Sequence, residues 1–305
     1  MLELSHVTKR FGAKTAVDDV SFRVPEASVF GFVGENGAGK TTTMKLILGL
    51  LQADSGEIFV GGERAVFGKN RTNRLIGYLP DVPEFYGFFT PAEYLLLCGE
   101  ISGIPKQEAK KRAAEVLELV GLSQANRRIR GFSRGMKQRL GIAQALFGQP
   151  KLLICDEPTS ALDPVGRREI LDILHSLKGR TTVLFSTHIL SDVERICDEC
   201  AVLHGGRLIR QGGLAQLRDA ETEQGFHVSF LRAEDAELFS QLLPGGDRTD
   251  AFTLEYRRGG AHGMAAAMEA LAGAKIDIRC IERKERTLEE LFLELVSGEK
   301  DKKDE

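Results

Sequence analysis

The segment Ser28-Val29-Phe30-Gly31-Phe32-Val33-Gly34-Glu35-Asn36-Gly37-Ala38-Gly39-Lys40-Thr41 decides the fold. Its first six residues form a short apolar run of the kind that makes a buried strand, and the next eight fit the pattern G-x-x-x-x-G-K-[ST]. Beyond them, Met44, Leu46, Ile47, Leu48 and Leu51 suit a core-facing helix over Lys40 to Leu51. Strand, glycine-rich loop and helix is the context in which this motif cradles phosphate. The glycines let backbone N–H groups converge on phosphate oxygens at a helix N-terminus. Lys40 brings a point charge to the β and γ phosphates, and the Thr41 hydroxyl is suited to ligate Mg²⁺.

Working outward, alternating apolar residues (Leu2, Leu4; Val17, Val20, Phe22, Val24) predict half-buried antiparallel strands before the motif. Ile58 to Val60 and Leu75 to Leu79 predict further strands. Helical spacing then takes over in Leu95 to Leu97, Lys106 to Val120 and Gly135 to Phe147, which predicts a helical insertion over about residues 88–147. Apolar runs return at Leu152 to Cys155 and Thr182 to Phe185, separated by a helical pattern across Val165 to Leu177, the βαβ rhythm of a parallel sheet. Leu152 to Cys155 runs into Asp156 and Glu157. Carboxylates at the C-terminal edge of such a strand lie where open α/β sheets bind ligands. Asp156 there suits Mg²⁺, and Glu157 suits a water facing the γ-phosphate.

The chain has 305 residues, 42% hydrophobic and 28% charged, which fits a folded globular protein and excludes low complexity as a global description. Lys and Arg number 41 against 44 Asp and Glu, so there is no global electrostatic drive toward nucleic acid. The balance is uneven: residues 220–305 hold 12 basic and 19 acidic side chains, and the rest carries a net positive charge. That shift predicts a boundary near Asp219, dividing residues 1–219 from an accessory domain, 220–298, and a charged tail, 299–305. In the accessory domain Phe226, Val228 and Phe230 alternate, as do Phe252, Leu254 and Tyr256, and then Ile276, Ile278 and Cys280; Ala236 to Leu243 and Met264 to Ala272 read as helices. Leu288, Leu291, Phe292 and Leu295 mark one further helix face. No apolar run approaches the roughly 20 residues of a membrane span, and the first 20 residues lack the hydrophobic stretch of a signal peptide. Five scattered cysteines disfavour a disulfide framework, and the lone Cys197-x-x-Cys200 pair reads as packing.

The segments between these motifs resemble the nucleotide-binding subunit of an ATP-binding cassette (ABC) transporter. Gly131-Phe132-Ser133-Arg134-Gly135-Met136-Lys137-Gln138-Arg139 resembles the signature, whose commonest form is Leu-Ser-Gly-Gly-Gln. Ser160-Ala161-Leu162-Asp163 resembles the D-loop, Ser186-Thr187-His188 carries the switch histidine, and Ile76-Gly77-Tyr78-Leu79-Pro80-Asp81 resembles the Q-loop with Asp81 in place of Gln. Phe11 stands where the family has an aromatic that stacks on adenine. Taken alone, Phe11 fits a core position better, Ser133 fits a plain helix cap equally well, and a lone histidine after a strand is more often structural.

The resemblance implies an α/β fold: a P-loop NTPase with a RecA-like core, an N-terminal antiparallel β subdomain, a helical insertion and a small C-terminal α+β domain. It implies an ATPase with ATP and Mg²⁺ as cofactors. Contacts to nucleotide would come from Phe11, Gly34, Glu35, Asn36, Gly37, Ala38, Gly39, Lys40, Thr41, Thr42, Asp81, Ser133, Gly135 and Asp163. The metal would fall to Thr41, Asp81 and Asp156, and catalysis to Lys40, Glu157 and His188. The partners implied are an integral membrane permease and a second nucleotide-binding subunit, identical or not, with no nucleic acid, at the cytoplasmic face of the membrane. The signature variant and Arg286-Thr287-Leu288-Glu289-Glu290-Leu291-Phe292 resemble the branch of drug, antibiotic and sodium exporters. The rival readings are a soluble ABC ATPase without transport and an ATP-binding regulator; Glu157 and His188 argue against an inert regulator. The loop from Asp81 to Tyr94, with Phe85, Tyr86, Phe88 and Phe89, reads as either a local core or a docking surface for the permease.

Overall fold

The computed structural model describes residues 1–69, 71–219, 225–256, 263–283 and 289, and the chain divides into two compact units, Met1–Leu214 and Ala215–Glu305. In the first unit, β1 (Leu2–Phe11) and β2 (Lys14–Val24) pair antiparallel, placing Leu2, Leu4 and Val7 beside Val24, Phe22 and Val20 on one buried face. The strand β3 (Val29–Val33) is buried at all five positions, as a strand sandwiched in a parallel sheet must be. The helix α1 (Lys40–Ile47) follows it directly. It is shorter than the apolar pattern to Leu51 predicts, because Gly49 turns to φ +65° and leaves Leu50 exposed. Strands β4 (Ser55–Val60) and β5 (Glu63–Arg64) complete an antiparallel sheet of order β2-β1-β4-β5.

The helical insertion follows β6 (Ile76–Leu79) and contains α2 (Pro91–Ile101), α3 (Lys106–Leu119) and α4 (Arg134–Phe147). Thr90 and Glu93 form a capping box on α2, with Pro91 at the first helical position. The helix α3 buries Ala109, Ala113 and Leu117, one stripe at four-residue spacing. The strand β7 (Leu152–Cys155), the helix α5 (Pro164–Ser176), the strand β8 (Thr182–Thr187), the helix α6 (Leu190–Ile196) and the strands β9 (Glu199–His204) and β10 (Arg207–Gly213) then build a six-stranded sheet of order β10-β9-β3-β8-β7-β6. All its neighbours run parallel except β10 against β9. Phe22 of the antiparallel sheet stacks on Phe30 and Phe32 of β3 at 5.9 and 5.2 Å. That contact joins the two sheets around one core, and truncating such a phenylalanine costs about 3–5 kcal/mol. This is the α/β P-loop architecture with its antiparallel β subdomain and helical insertion.

The helix α7 (Leu214–Asp219) starts at the last residue of the first unit, and the second unit contains β11 (Phe226–Phe230), α8 (Ala233–Leu242), β12 (Asp247–Asp250), β13 (Thr253–Tyr256), α9 (Met264–Ala274) and β14 (Ile278–Arg283). Its antiparallel sheet has the order β12-β13-β11-β14, and Phe226, Val228 and Phe230 face Phe239, Leu254, Tyr256, Ala267 and Leu271 in its core. Phe252 is not part of the alternation that includes Leu254 and Tyr256: it lies in the turn before β13, nearly half exposed. Leu288, Leu291, Phe292, Leu295, the Arg286–Phe292 motif and the 299–305 tail lie outside the described residues, Glu289 apart. The five cysteines are all free. Burial pushes the Cys200 thiol up to about 12 and raises Cys197 as well, so both stay protonated as packing groups.

Candidate functional site

The loop after β3 is built on two glycines that no other residue can replace. A Cβ on Gly34 would stand 2.4 Å from the Leu203 carbonyl oxygen; one on Gly39 would stand 2.3 Å from that of Ala16, where φ is +106°. Gly39 caps α1 without a side-chain hydrogen bond, so the first N–H groups of the helix stay available for an anion. Thr43 is buried and its hydroxyl donates to the Gly39 carbonyl at 3.0 Å, pinning the loop's end. Lys40 is only 5% exposed; its ammonium donates to the carbonyls of Gly34 at 2.6 Å and Glu35 at 3.2 Å and lies 3.1 Å from Glu157 Oε1. Its charge is therefore aimed before any ligand arrives.

The carboxylates are fixed by β8. Asp156 is 3% exposed and accepts a hydrogen bond from Ser186 Oγ at 2.7 Å. The same Ser186 oxygen accepts the Glu157 backbone N–H at 2.9 Å. That N–H belongs to a residue held at φ +47°, a left-handed conformation that costs a non-glycine residue roughly 1–2 kcal/mol. Glu157 Oε2 is 2.9 Å from His188 Nδ1, so the carboxylate is gripped by Lys40 on one side and His188 on the other. Below it, Thr159 donates to Asp192 Oδ2 at 2.7 Å and Arg167 to Oδ1 at 2.6 Å, which anchors the chain leaving Glu157.

Asp81 sits beside these groups. Burial raises its carboxyl above the ordinary range, Arg134 at 3.8 Å pulls it down, and the charges of Asp156 and Glu157 raise it again. Gln138, which carries no role in the sequence reading, is fully buried in α4 and donates from Nε2 to the Asp81 carbonyl at 3.1 Å and the Pro158 carbonyl at 3.2 Å. One amide thus ties α4 to the loops bearing Asp81 and Glu157. Its signal in the sequence was a polar residue in register with the core residues Ile142 and Ala145, four and seven positions on.

A cavity of about 360 Å³ is lined by Phe11, Lys14, Ala16, Asn36, Gly37, Gly39, Lys40, Thr41, Thr42, Asp81, Asp156 and Glu157. The structure therefore brings Phe11, the phosphate loop and the carboxylates to one space. Phe11 is 49% exposed, with the Lys9 ammonium 5.5 Å from its ring centroid, and is not a core residue. Ala38 is buried beneath the loop, and its carbonyl accepts the Gly206 N–H at 3.1 Å. Ser133, Gly135 and Asp163 do not line this cavity. Ser133 is exposed and caps α4 through the Met136 N–H at 3.3 Å, and Asp163 caps α5 through the Gly166 N–H at 2.7 Å.

Comparisons with known proteins bear on this geometry. The ABC transporter family model matches residues 17–160. An uncharacterised ABC transporter ATP-binding protein of Bacillus subtilis (strain 168), YxlF, is 45% identical over 230 residues, 75% of this chain and 76% of the relative. The bacitracin transport ATP-binding protein BcrA of Bacillus licheniformis is 36% identical over 307 residues, 98% of both chains. A solved ATP-binding subunit of an ABC transporter superimposes with a TM-score of 0.65 at 33% identity, covering 72% of this chain and 92% of that one. A dimeric cassette in a post-hydrolysis state bound to ADP and Pi gives 0.63 at 26% identity, covering 70% and 99%. With a phosphate loop, paired carboxylates and a relative matched end to end, the chain belongs to the ATP-binding proteins of ABC transporters, and its cassette is an ATPase.

Proposed function

We propose that this chain binds Mg-ATP in the cavity beside Phe11, pairs head to tail with a second cassette, and drives export through a separate membrane permease from the cytoplasmic face. The observation that carries the reading is the split of the site residues. Lys40, Thr41, Asp81, Asp156 and Glu157 converge on one cavity, whereas Ser133, Gly135 and Asp163 present polar groups elsewhere on the surface. Two cassettes facing each other in opposite senses would bring each signature to the other's phosphates, and a dimeric cassette is among the similar structures. Relatives named for bacitracin transport, linearmycin resistance and Nod factor export support export. No helix among the described residues is long and apolar enough to cross a membrane, so the membrane path would belong to the partner.

The donors fit Mg²⁺: a hydroxyl, Thr41, and two carboxylates, Asp81 and Asp156, share the cavity, and hard oxygen ligands are what this ion takes. When bound, Mg²⁺ would offset the negative charge of the phosphates. Phe11 offers an exposed ring for the base, and the N–H groups at the start of α1 would face the phosphates. The γ-phosphate would meet Lys40 in place of Glu157. Released from that pair, Glu157 would orient the attacking water, with His188 holding its other oxygen. The test is Glu157→Gln, which keeps the side chain's size and loses its basicity. With ATP this variant should run as a dimer in size-exclusion light scattering, and adding Ser133→Arg should return it to monomer. A Glu157→Gln chain that binds ATP and stays monomeric at all concentrations refutes the head-to-tail pairing.

A further inference from the structure

Among the described residues, α8 and α9 pack on one face of the second unit's sheet. Along β11, Phe226, Val228 and Phe230 point into the core, which sends His227 and Ser229 to the other side. The strand register aligns Asp247, Glu255, His227 and Glu282 in one row across all four strands. Thr253, Ser229 and Cys280 form the next row of the same face. Cys280 therefore lies diagonally beside His227 and two residues from Glu282. The donor atoms of His227, Cys280 and Glu282 all lie within 4.8 Å of one another, and His227 Nε2 is 3.7 Å from a Glu282 oxygen.

A histidine–glutamate contact at a surface needs no special explanation, since such pairs contribute about 0–1 kcal/mol. The thiol changes its meaning. An imidazole nitrogen, a thiolate sulfur and a carboxylate oxygen are the three donor types of Zn²⁺, whereas Mg²⁺ and Ca²⁺ take oxygen alone. With bonds of roughly 2.0–2.3 Å, a tetrahedral shell sets its ligand atoms roughly 3.5 Å apart. His227 and Cys280 are half-buried and Glu282 is exposed, so a small rotation of these side chains closes the gap from the spacing seen here. The backbone of an antiparallel pair already holds their Cα atoms in register, so little ordering is left for the ion to impose.

We propose that His227, Cys280 and Glu282 form a zinc site, with water as the fourth ligand. On binding, the Cys280 Sγ–H would give its proton to solvent and the sulfur would donate an electron pair to the metal, with no change of oxidation state. The ion would clip β14, an edge strand, to β11 in the middle of the sheet. It would thereby tie the end of the described sheet to its centre and make the unit's stability depend on free zinc.

The test uses the full-length, nucleotide-free chain and Co²⁺ as a spectroscopic stand-in for Zn²⁺. The wild-type chain should develop a thiolate-to-cobalt charge-transfer band that Zn²⁺ abolishes; oxygen ligands in the nucleotide cavity give no such band. Cys280→Ser should remove the band. His227→Gln should weaken Zn²⁺ binding by more than the roughly 10- to 100-fold that follows loss of a ligand's outer hydrogen-bond partner. Thermal melts of both metal-free variants that match wild type show that the second unit is folded. A wild-type chain without the band overturns the proposal, as does a band that persists in Cys280→Ser.

Discussion

Replacing Ser186 with alanine removes a single oxygen atom that holds both carboxylate residues of the site. Ser186 is fully buried; its hydroxyl donates to Asp156 at 2.7 Å and accepts the Glu157 N–H at 2.9 Å. A hydrogen bond to a charged group contributes about 1.5–3 kcal/mol and an ordinary one about 0.5–1.5 kcal/mol. The first bond orients Asp156, the carboxylate proposed to hold the metal, and the second stabilises Glu157 in its left-handed conformation. The loss divides between folding and positioning. If about half of it falls on the chemical step, kcat drops roughly 5- to 40-fold, since about 1.4 kcal/mol is a factor of ten. ATP affinity should change by no more than about threefold, because Lys40 is held by the Gly34 and Glu35 carbonyls and not by Ser186. Steady-state phosphate release, nucleotide binding by fluorescence titration and a thermal melt separate the three effects, and Ser186→Thr, which keeps the hydroxyl, is the control. Turnover within twofold of wild type, in a variant whose melting temperature is also unchanged, would refute the claim that Ser186 positions the pair.

Glu157→Gln should slow hydrolysis by about 10²- to 10⁴-fold while binding ATP at least as tightly as wild type, because the carboxylate now paired with Lys40 no longer competes with phosphate; weaker ATP binding speaks against that competition. Gln138→Leu strips the buried Pro158 carbonyl and the part-buried Asp81 carbonyl of their donor, at about 1–3 kcal/mol for the buried one, so its melting temperature should fall by several degrees and kcat with it; an unaltered melt removes Gln138 from the account. Burial pushes the Asp198 carboxyl upward, but the Lys178 ammonium and the Val29 N–H outweigh it and leave it below its ordinary value. A lowered folded value means that this stabilisation is complete above the unfolded value, about 3.9, and is lost as pH falls through the folded one. Melting curves from about pH 6 to about pH 3 should therefore fall less steeply for Asp198→Asn than for wild type, and parallel curves contradict the assignment. Phe88, 61% exposed, lies tilted against the half-buried Phe89 with ring centroids 4.5 Å apart, so polar replacements of both should spare basal ATPase and stop permease-dependent transport; normal transport, or an unfolded chain, returns the pair to the local core.

The loop from Asp81 to Tyr94 shows how composition leaves one alternative open and packing divides it. Phe85 is half-buried and packs edge-on against the buried Tyr94 at 5.2 Å, whereas Tyr86 and Phe88 are about three-fifths exposed. Density of aromatics in a Pro- and Gly-punctuated loop does not say which ring turns inward, because that depends on the helix the loop packs against. The same limit applies to Phe11. Taken alone it suits a core, and only the bend between β1 and β2 beside the phosphate loop leaves its ring open to the cavity.

The sequence determined the features that depend on neighbouring residues. The buried strand, the glycine loop and the helix over Ser28 to Ile47 are contiguous, and so are the capping box at Thr90 and Glu93 and the strand that delivers Asp156 and Glu157. Their physics is local: sterics at glycine, orphan N–H groups at a helix start, apolar runs of a given period. The tertiary structure decided what depends on register between distant strands. Ser186 reaches Asp156 and Glu157 because β7 and β8 lie side by side in parallel, and Gln138 reaches Asp81 and Pro158 because α4 lies between their loops. His227 meets Cys280 and Glu282 because β14 returns beside β11, pairing residues more than fifty positions apart. Strand pairing of that kind is settled by the burial of whole faces, and a one-residue slip would send Ser186 or His227 to the opposite side of its sheet.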